Sequence, residues 1–96
     1  MNSNEYIYSY LIVFFSSNHS MALYKILKDD RYDVLMQPTP CTISAGCANA
    51  ISFRKEDLEP VLNEIDKSNI PIQSIYVKLF DANCGKFKYA KYNRTT

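Results

Sequence analysis

The apolar residues of this chain follow two rhythms, and each change of rhythm predicts a change of element. Tyr8-Ser9-Tyr10-Leu11-Ile12-Val13-Phe14-Phe15 is aromatic, β-branched and nearly unbroken in apolar character. That suits an inner strand covered on at least one face. Ser16, Ser17 and Asn18 follow, and their side-chain oxygens can accept from the first amides of a helix. From about Asn18 to Asp30, Ala22, Leu23, Ile26 and Leu27 make one apolar stripe, with Lys25, Lys28 and Asp29 off it. A helix is predicted there.

Val34-Leu35-Met36-Gln37 predicts a short second strand, stopped by Pro38 and Pro40 because neither can donate to a sheet ladder. Ala48 to Arg54 predicts a third strand, with Ala50 or Ile51 and Phe53 inward. Asp57 is placed to cap a second helix, with Pro60 in its first turn where a missing amide costs least. Leu58, Val61, Leu62 and Ile65 form its apolar stripe. Ile72 to Phe80 predicts a fourth strand, in which Ile75, Val77 and Leu79 alternate with Ser74, Lys78 and Phe80.

The predicted order is strand, helix, strand, strand, helix, strand. To bury both stripes, the two helices must lie on one face of a four-stranded antiparallel sheet. This is an α+β chain with a ferredoxin-like βαββαβ two-layer sandwich. Right-handed crossovers place the first and third strands at its centre. Residues 8–80 form the single domain, 1–7 an N-terminal extension and 81–96 a C-terminal tail.

A chain of 96 residues has room for one small core. Its 47% hydrophobic content and scarcity of glycine and proline mark it as globular. The start, Met1-Asn2-Ser3-Asn4-Glu5, has neither the basic region nor the apolar run of an export signal. Tyr10 to Phe15 is too short to cross a bilayer, which takes about 20 residues. Three cysteines, an odd number, then point to free thiols in a reducing cytoplasm rather than to a disulfide framework. No membrane partner is expected.

The net charge of +1 excludes a strongly basic or acidic protein. Its distribution is uneven. Residues 82–96 hold Lys86, Lys88, Lys91 and Arg94 and no acid, interleaved with Phe87, Tyr89 and Tyr92. Such a tail can touch phosphates and stack on bases. A solvated terminus is the commoner outcome, so nucleic acid is not the expected partner except through this tail.

Candidate chemistry gathers between Pro38 and Phe53, where Cys41 and Cys47 flank a run of small and hydroxylated residues. In the predicted fold this connection shares a sheet edge with the start of the first helix. Ser17 and His19 then lie near it. A helix start carries unpaired amides and partial positive charge, which stabilise a nearby thiolate. His19 adds a second positive or proton-accepting group. Cys47, with Gly46 before it and Ser44 close by, is the candidate reactive thiol. The competing reading makes it a small core residue at the start of the third strand. Cys41 is exposed loop or a resolving thiol, and Cys84 an incidental surface thiol.

Other chemistries find little support. Cys-x5-Cys with a remote cysteine and a single His lacks the paired spacings of structural zinc, so no metal is expected. No glycine-rich phosphate loop, nucleophile elbow or His-Glu-x-x-His is present, and no cofactor is expected. An RNA-recognition domain would carry aromatic rings on its third strand after a basic residue and a glycine. Cys47 and Asn49 stand at those positions, and no base precedes Gly46.

The order of short motifs resembles the small bacterial Se/S carrier protein-like family. The residues that carry the resemblance are Tyr10-Leu11-Ile12-Val13-Phe14-Phe15-Ser16, Ala22 with Ile26 and Leu27, Pro38-Thr39-Pro40, Ile43-Ser44, Cys47 and Glu56-Asp57-Leu58-Glu59. They span roughly residues 8–80. The chain departs from the family pattern at Cys41, where an arginine is usual, and at Ala48, where a glycine usually follows the cysteine. The resemblance implies a carrier rather than a true enzyme, holding sulfur or selenium on Cys47 between a protein donor and a protein acceptor. A non-catalytic ligand-binding or protein-interaction module, with a structural Cys47 and a homodimer through the sheet, is the alternative.

Overall fold

The computed structural model of the chain describes residues 5–43 and 49–93. β1 (Glu5–Val13), α1 (Ser17–Asp29), β2 (Val34–Pro38) and β3 (Asn49–Arg54) come first. A single 3-10 turn (Lys55–Asp57), α2 (Leu58–Ser68), β4 (Ser74–Asp81) and β5 (Lys86–Lys91) complete the order. The strands form one antiparallel sheet in the order β2-β3-β1-β4-β5. The chain is therefore α+β, with two helices and a five-stranded sheet. The expected four-stranded sheet is corrected, because part of the supposed C-terminal tail is β5, hairpinned onto β4.

The hairpin has a local cause. Asp81 opens the turn by accepting the Asn83 amide on its side chain at 2.9 Å and the Gly85 amide on its carbonyl at 2.8 Å. Gly85 sits at φ +67°, where a side chain would be strained, and the chain reverses there. Lys88 on β5 then pairs with Glu5 on β1 across the intervening β4, and Tyr92 meets Tyr10 edge-on at 5.5 Å.

One face of the sheet carries both helices. Ile12 and Tyr10 of β1, Ile51 and Phe53 of β3 and Ile75 of β4 bury against Leu23 and Leu27 of α1 and Val61, Leu62 and Ile65 of α2. Phe14 lies past the end of β1 yet is fully buried in this layer, whereas Phe15 is exposed. Tyr10 stacks on Phe53, with centroids 5.5 Å apart. Burial lifts the Tyr10 phenol above its ordinary pKa, and Tyr92 adds to the rise.

The α1 stripe differs from expectation. Ser20, Leu23 and Leu27 are buried, while Ala22 is exposed. Ser20 can enter the core because its hydroxyl donates to the Ser17 carbonyl at 2.9 Å, which satisfies it locally. The α2 stripe is as expected, and Asp57 stands at the N-cap of α2, but its side chain makes no capping bond. Its carboxylate pairs with Arg54 at 3.3 Å instead.

The opposite face carries no helix among the described residues. Leu11, Val13 and Ala50 are nonetheless buried there, packed with Tyr76, Tyr89 and Ile43. Ile43 belongs to the β2–β3 connection, so part of that connection folds across the helix-free face.

Candidate functional site

Two chain segments leave the sheet at the same edge. Val13, at the end of β1, pairs with Ala50 near the start of β3, and Pro38, at the end of β2, pairs with Asn49. The start of α1 follows Val13 directly, and the connection that follows Pro38 leads to Asn49. The expected sharing of an edge between the helix start and the cysteine loop rests on this ladder register.

At the helix start, Ser16 is the N-cap, with extended backbone and a side chain that accepts the His19 amide at 3.3 Å. The Ser20 amide bonds the Ser16 carbonyl at 3.3 Å. The cap thus uses the His19 amide that a bound anion would otherwise find free. Ser17 is exposed and gives its carbonyl to Ser20. His19 is half-buried, and its Nδ1 is a buried atom with no hydrogen-bond partner among the described residues.

In the connection, Thr39 is buried, and Ile43 closes a turn by donating its amide to the Pro40 carbonyl at 2.9 Å. Cys41 stands on the outside of that turn as an exposed free thiol. Cys84, in the β4–β5 turn, is also free and exposed. Ser44, Gly46 and Cys47 lie outside the described residues. Of the expected site, therefore, Ser17 and His19 sit at the helix start and Cys41 at the loop surface. The described loop residue Ile43 turns toward the helix-free face, away from the layer that holds α1. Among the described residues no cluster of three or more His, Cys, Asp or Glu side chains could hold a metal. Among the described residues no helix is long and apolar enough to cross a membrane.

The helix-free face contains a group of side chains that the sequence reading dispersed between a strand and a tail. Lys78 of β4 holds its ammonium 4.6 Å from the centre of the Phe87 ring, 5.4 Å from Tyr8 and 6.0 Å from Tyr89. Tyr8 and Phe87 meet edge-on at 5.0 Å, and Phe80 tilts against Phe87 at 5.1 Å. A shift in the β1–β4 register between Ile7 and Ser9 marks a bulge, and Tyr8 is the residue it re-aims. The alternation of rings and lysines in Lys86-Phe87-Lys88-Tyr89 is the signal that could have found this patch, once read as a strand rather than a terminus.

Comparison with curated proteins and with solved structures gives no match. A family model described as "Putative Se/S carrier protein-like" matches residues 9–77, from within β1 through the first half of β4. That span holds both helices, the strands they pack on and the whole β2–β3 connection with Cys41 and Cys47. The chain belongs to the Se/S carrier protein-like family.

Proposed function

We propose that this protein carries sulfur or selenium on Cys47, taking it from a donor protein and passing it to an acceptor. Family membership over residues 9–77 is the observation that supports the reading. In this scheme the Cys47 thiolate attacks the outer atom of a donor persulfide or perselenide. A bond forms from Cys47 sulfur to that atom, the donor's chalcogen bond breaks, and the donor leaves as its thiolate. An acceptor nucleophile repeats the exchange and returns Cys47 to the thiolate, so no outside oxidant or reductant is needed. Ser44 and Gly46 are assigned to the thiol's own loop, Ser17 and His19 to the neighbouring helix start, with His19 accepting the thiol proton. Cys41 is the candidate resolving thiol. The fold is read as a ferredoxin-like sandwich with β5 added beyond β4, working in a reducing cytoplasm.

Intact-mass measurement after incubation with a small persulfide donor tests the proposal. Because Cys41 and Cys84 are exposed, the measurement is made in a Cys41→Ser, Cys84→Ser background. One added sulfur atom is expected, and none after Cys47→Ser. No addition, or equal addition without Cys47, overturns the reading. The exposed rings of the helix-free face favour a second one, a binding module in which Cys47 is structural. An unreactive Cys47 would support it.

A further inference from the structure

We propose that the helix-free face of the sheet binds single-stranded nucleic acid. Tyr8, Tyr76, Phe80, Phe87 and Tyr89 line its β1, β4 and β5 side around Lys78. Tyr8 and Phe87 are 60% and 47% exposed, two large rings left in solvent in contact with one another. The chain as a whole is nearly neutral at +1, and what distinguishes this face is how its charges are paired. By strand register it carries Lys78, Lys91 and Arg54 against Asp33, and Arg54 is already paired with Asp57. Lys78 and Lys91 have no carboxylate partner among the described residues.

Exposed rings interleaved with cations are what a single strand requires, because successive bases stack while phosphates take the charge. Lys78 is placed for both tasks. Its ammonium rests over exposed rings, an attraction weak enough to be exchanged for a phosphate. Moving to a phosphate uncovers the faces of Phe87 and Tyr8 for a base. β3 carries only Ala50, Ser52 and Arg54 on this face, which is why the RNA-recognition pattern is absent from its sequence. The rings come from β1, β4 and β5 instead. A groove of about 530 Å³ between Ile43 and the rings of Tyr76, Phe87 and Tyr89 continues the surface toward the cysteine loop.

Charge also argues against the other occupants. A second copy docked face to face would bury Lys78 and Lys91 of both copies with no carboxylate partner between them. An acidic peptide would answer the charge but leave the rings without stacking partners. A duplex hides the faces of its bases.

Fluorescence anisotropy with a labelled single-stranded oligonucleotide of about 12 nucleotides tests the proposal at low salt. Saturable binding is expected, weakened by salt, with tyrosine emission quenched on binding. Tyr8→Ala and Phe87→Ala should each weaken it about tenfold or more. Lys78→Gln should flatten the salt dependence by about 0.7 in log–log slope, one phosphate's share. Unchanged circular dichroism keeps the comparison fair, and the exposure of both rings makes folding of these variants expected. Absence of binding overturns the proposal, as does equal affinity for a duplex or equal competition by polyglutamate. A wild-type dimer that Tyr8→Ala dissociates, without oligonucleotide binding, assigns the face to a second copy. None of these readouts involves Cys47, so failure here leaves the carrier reading standing, and the reverse holds.

Discussion

The Tyr32 amide donates back to the carbonyl of Leu27 at 3.0 Å, and between them the Arg31 amide reaches the Lys28 carbonyl, also at 3.0 Å. Together these bonds close the C-terminus of α1 in a Schellman arrangement, which requires a left-handed residue just past the helix. Arg31 takes that position at φ +67°. A non-glycine residue there costs roughly 1–2 kcal/mol, part of which a glycine would return as unfolded-state entropy. Arg31→Gly should therefore raise stability by about 0.5–1 kcal/mol in urea denaturation. A loss of stability would show that the exposed arginine side chain makes a contribution larger than its backbone strain.

Next to it, Asp30 at the end of α1 shares a hydrogen bond with Glu64 of α2, and Lys67 contacts Glu64 at 3.1 Å. The Glu64 hydrogen bond and nearby negative charge raise the Asp30 pKa, whereas Asp30 and Lys67 lower that of Glu64. The raised Asp30 makes the folded chain bind its proton more tightly than the unfolded chain. Its stabilising effect is full below the ordinary carboxylate pKa and is lost as pH rises through the raised value. Glu64 acts in the opposite sense, favouring the fold above the ordinary value and losing that effect as pH falls. Asp30→Asn keeps a donor toward Glu64 and removes the repulsion. Its melting temperature should exceed that of the native chain at neutral pH, with the gain vanishing as acid protonates Asp30. A gain that persists below the carboxylate range would contradict this sharing of a proton.

The two exposed thiols set an expectation of their own. Cys41 lies on the outside of the Pro40–Ile43 turn, and Cys84 in the β4–β5 turn. Neither should require unfolding to meet a reagent. Brief alkylation of the native protein, followed by peptide mapping, should label both, at rates that mild urea does not change. Protection of Cys41 would mean that another part of the connection covers it, and would remove it as a resolving thiol.

Much of the fold was legible because burial and periodicity agreed. The α2 stripe of Val61, Leu62 and Ile65 and the β4 alternation of Ile75 and Leu79 are buried as their spacing requires. The α1 stripe misled because Ala22 is apolar without being large, while the polar Ser20 satisfied its hydroxyl within its own turn and could be buried. β5 was illegible for another reason. Its rings and lysines do alternate as on a half-covered strand, but they lie past the last expected strand in a stretch rich in bases, which suggests a solvated terminus, and its partner is set by the Asp81–Gly85 turn. At the candidate site, the shared sheet edge followed from connectivity, but the seating of Ile43 on the helix-free face did not. That contact depends on Tyr76 and Tyr89 from strands distant in sequence.

β5 supports more than its exposed surface. It pairs with β4 along six registers from Tyr76–Lys91 to Asp81–Lys86, and the Tyr92 amide donates to the Ile75 carbonyl at 2.8 Å. Tyr92 covers Tyr10 in the helix-side core, and Tyr89 covers the Leu11–Val13–Ala50 layer on the other side. Without β5 both layers lose a ring, and β4 becomes a sheet edge with unpaired amides and carbonyls. Such an edge, with Ile75, Val77 and Leu79 along it, invites pairing with other chains. A chain ending at Asp81 should lose several kcal/mol of stability, by analogy with the removal of two aromatic core contacts at about 3–5 kcal/mol for a full ring. Sedimentation should show it associating at a concentration where the full chain is expected not to aggregate. In the full chain, hydrogen exchange should find the Tyr92 amide protected. A truncated chain that melts and sediments as the full one does would return residues 82–96 to the role of a solvated tail.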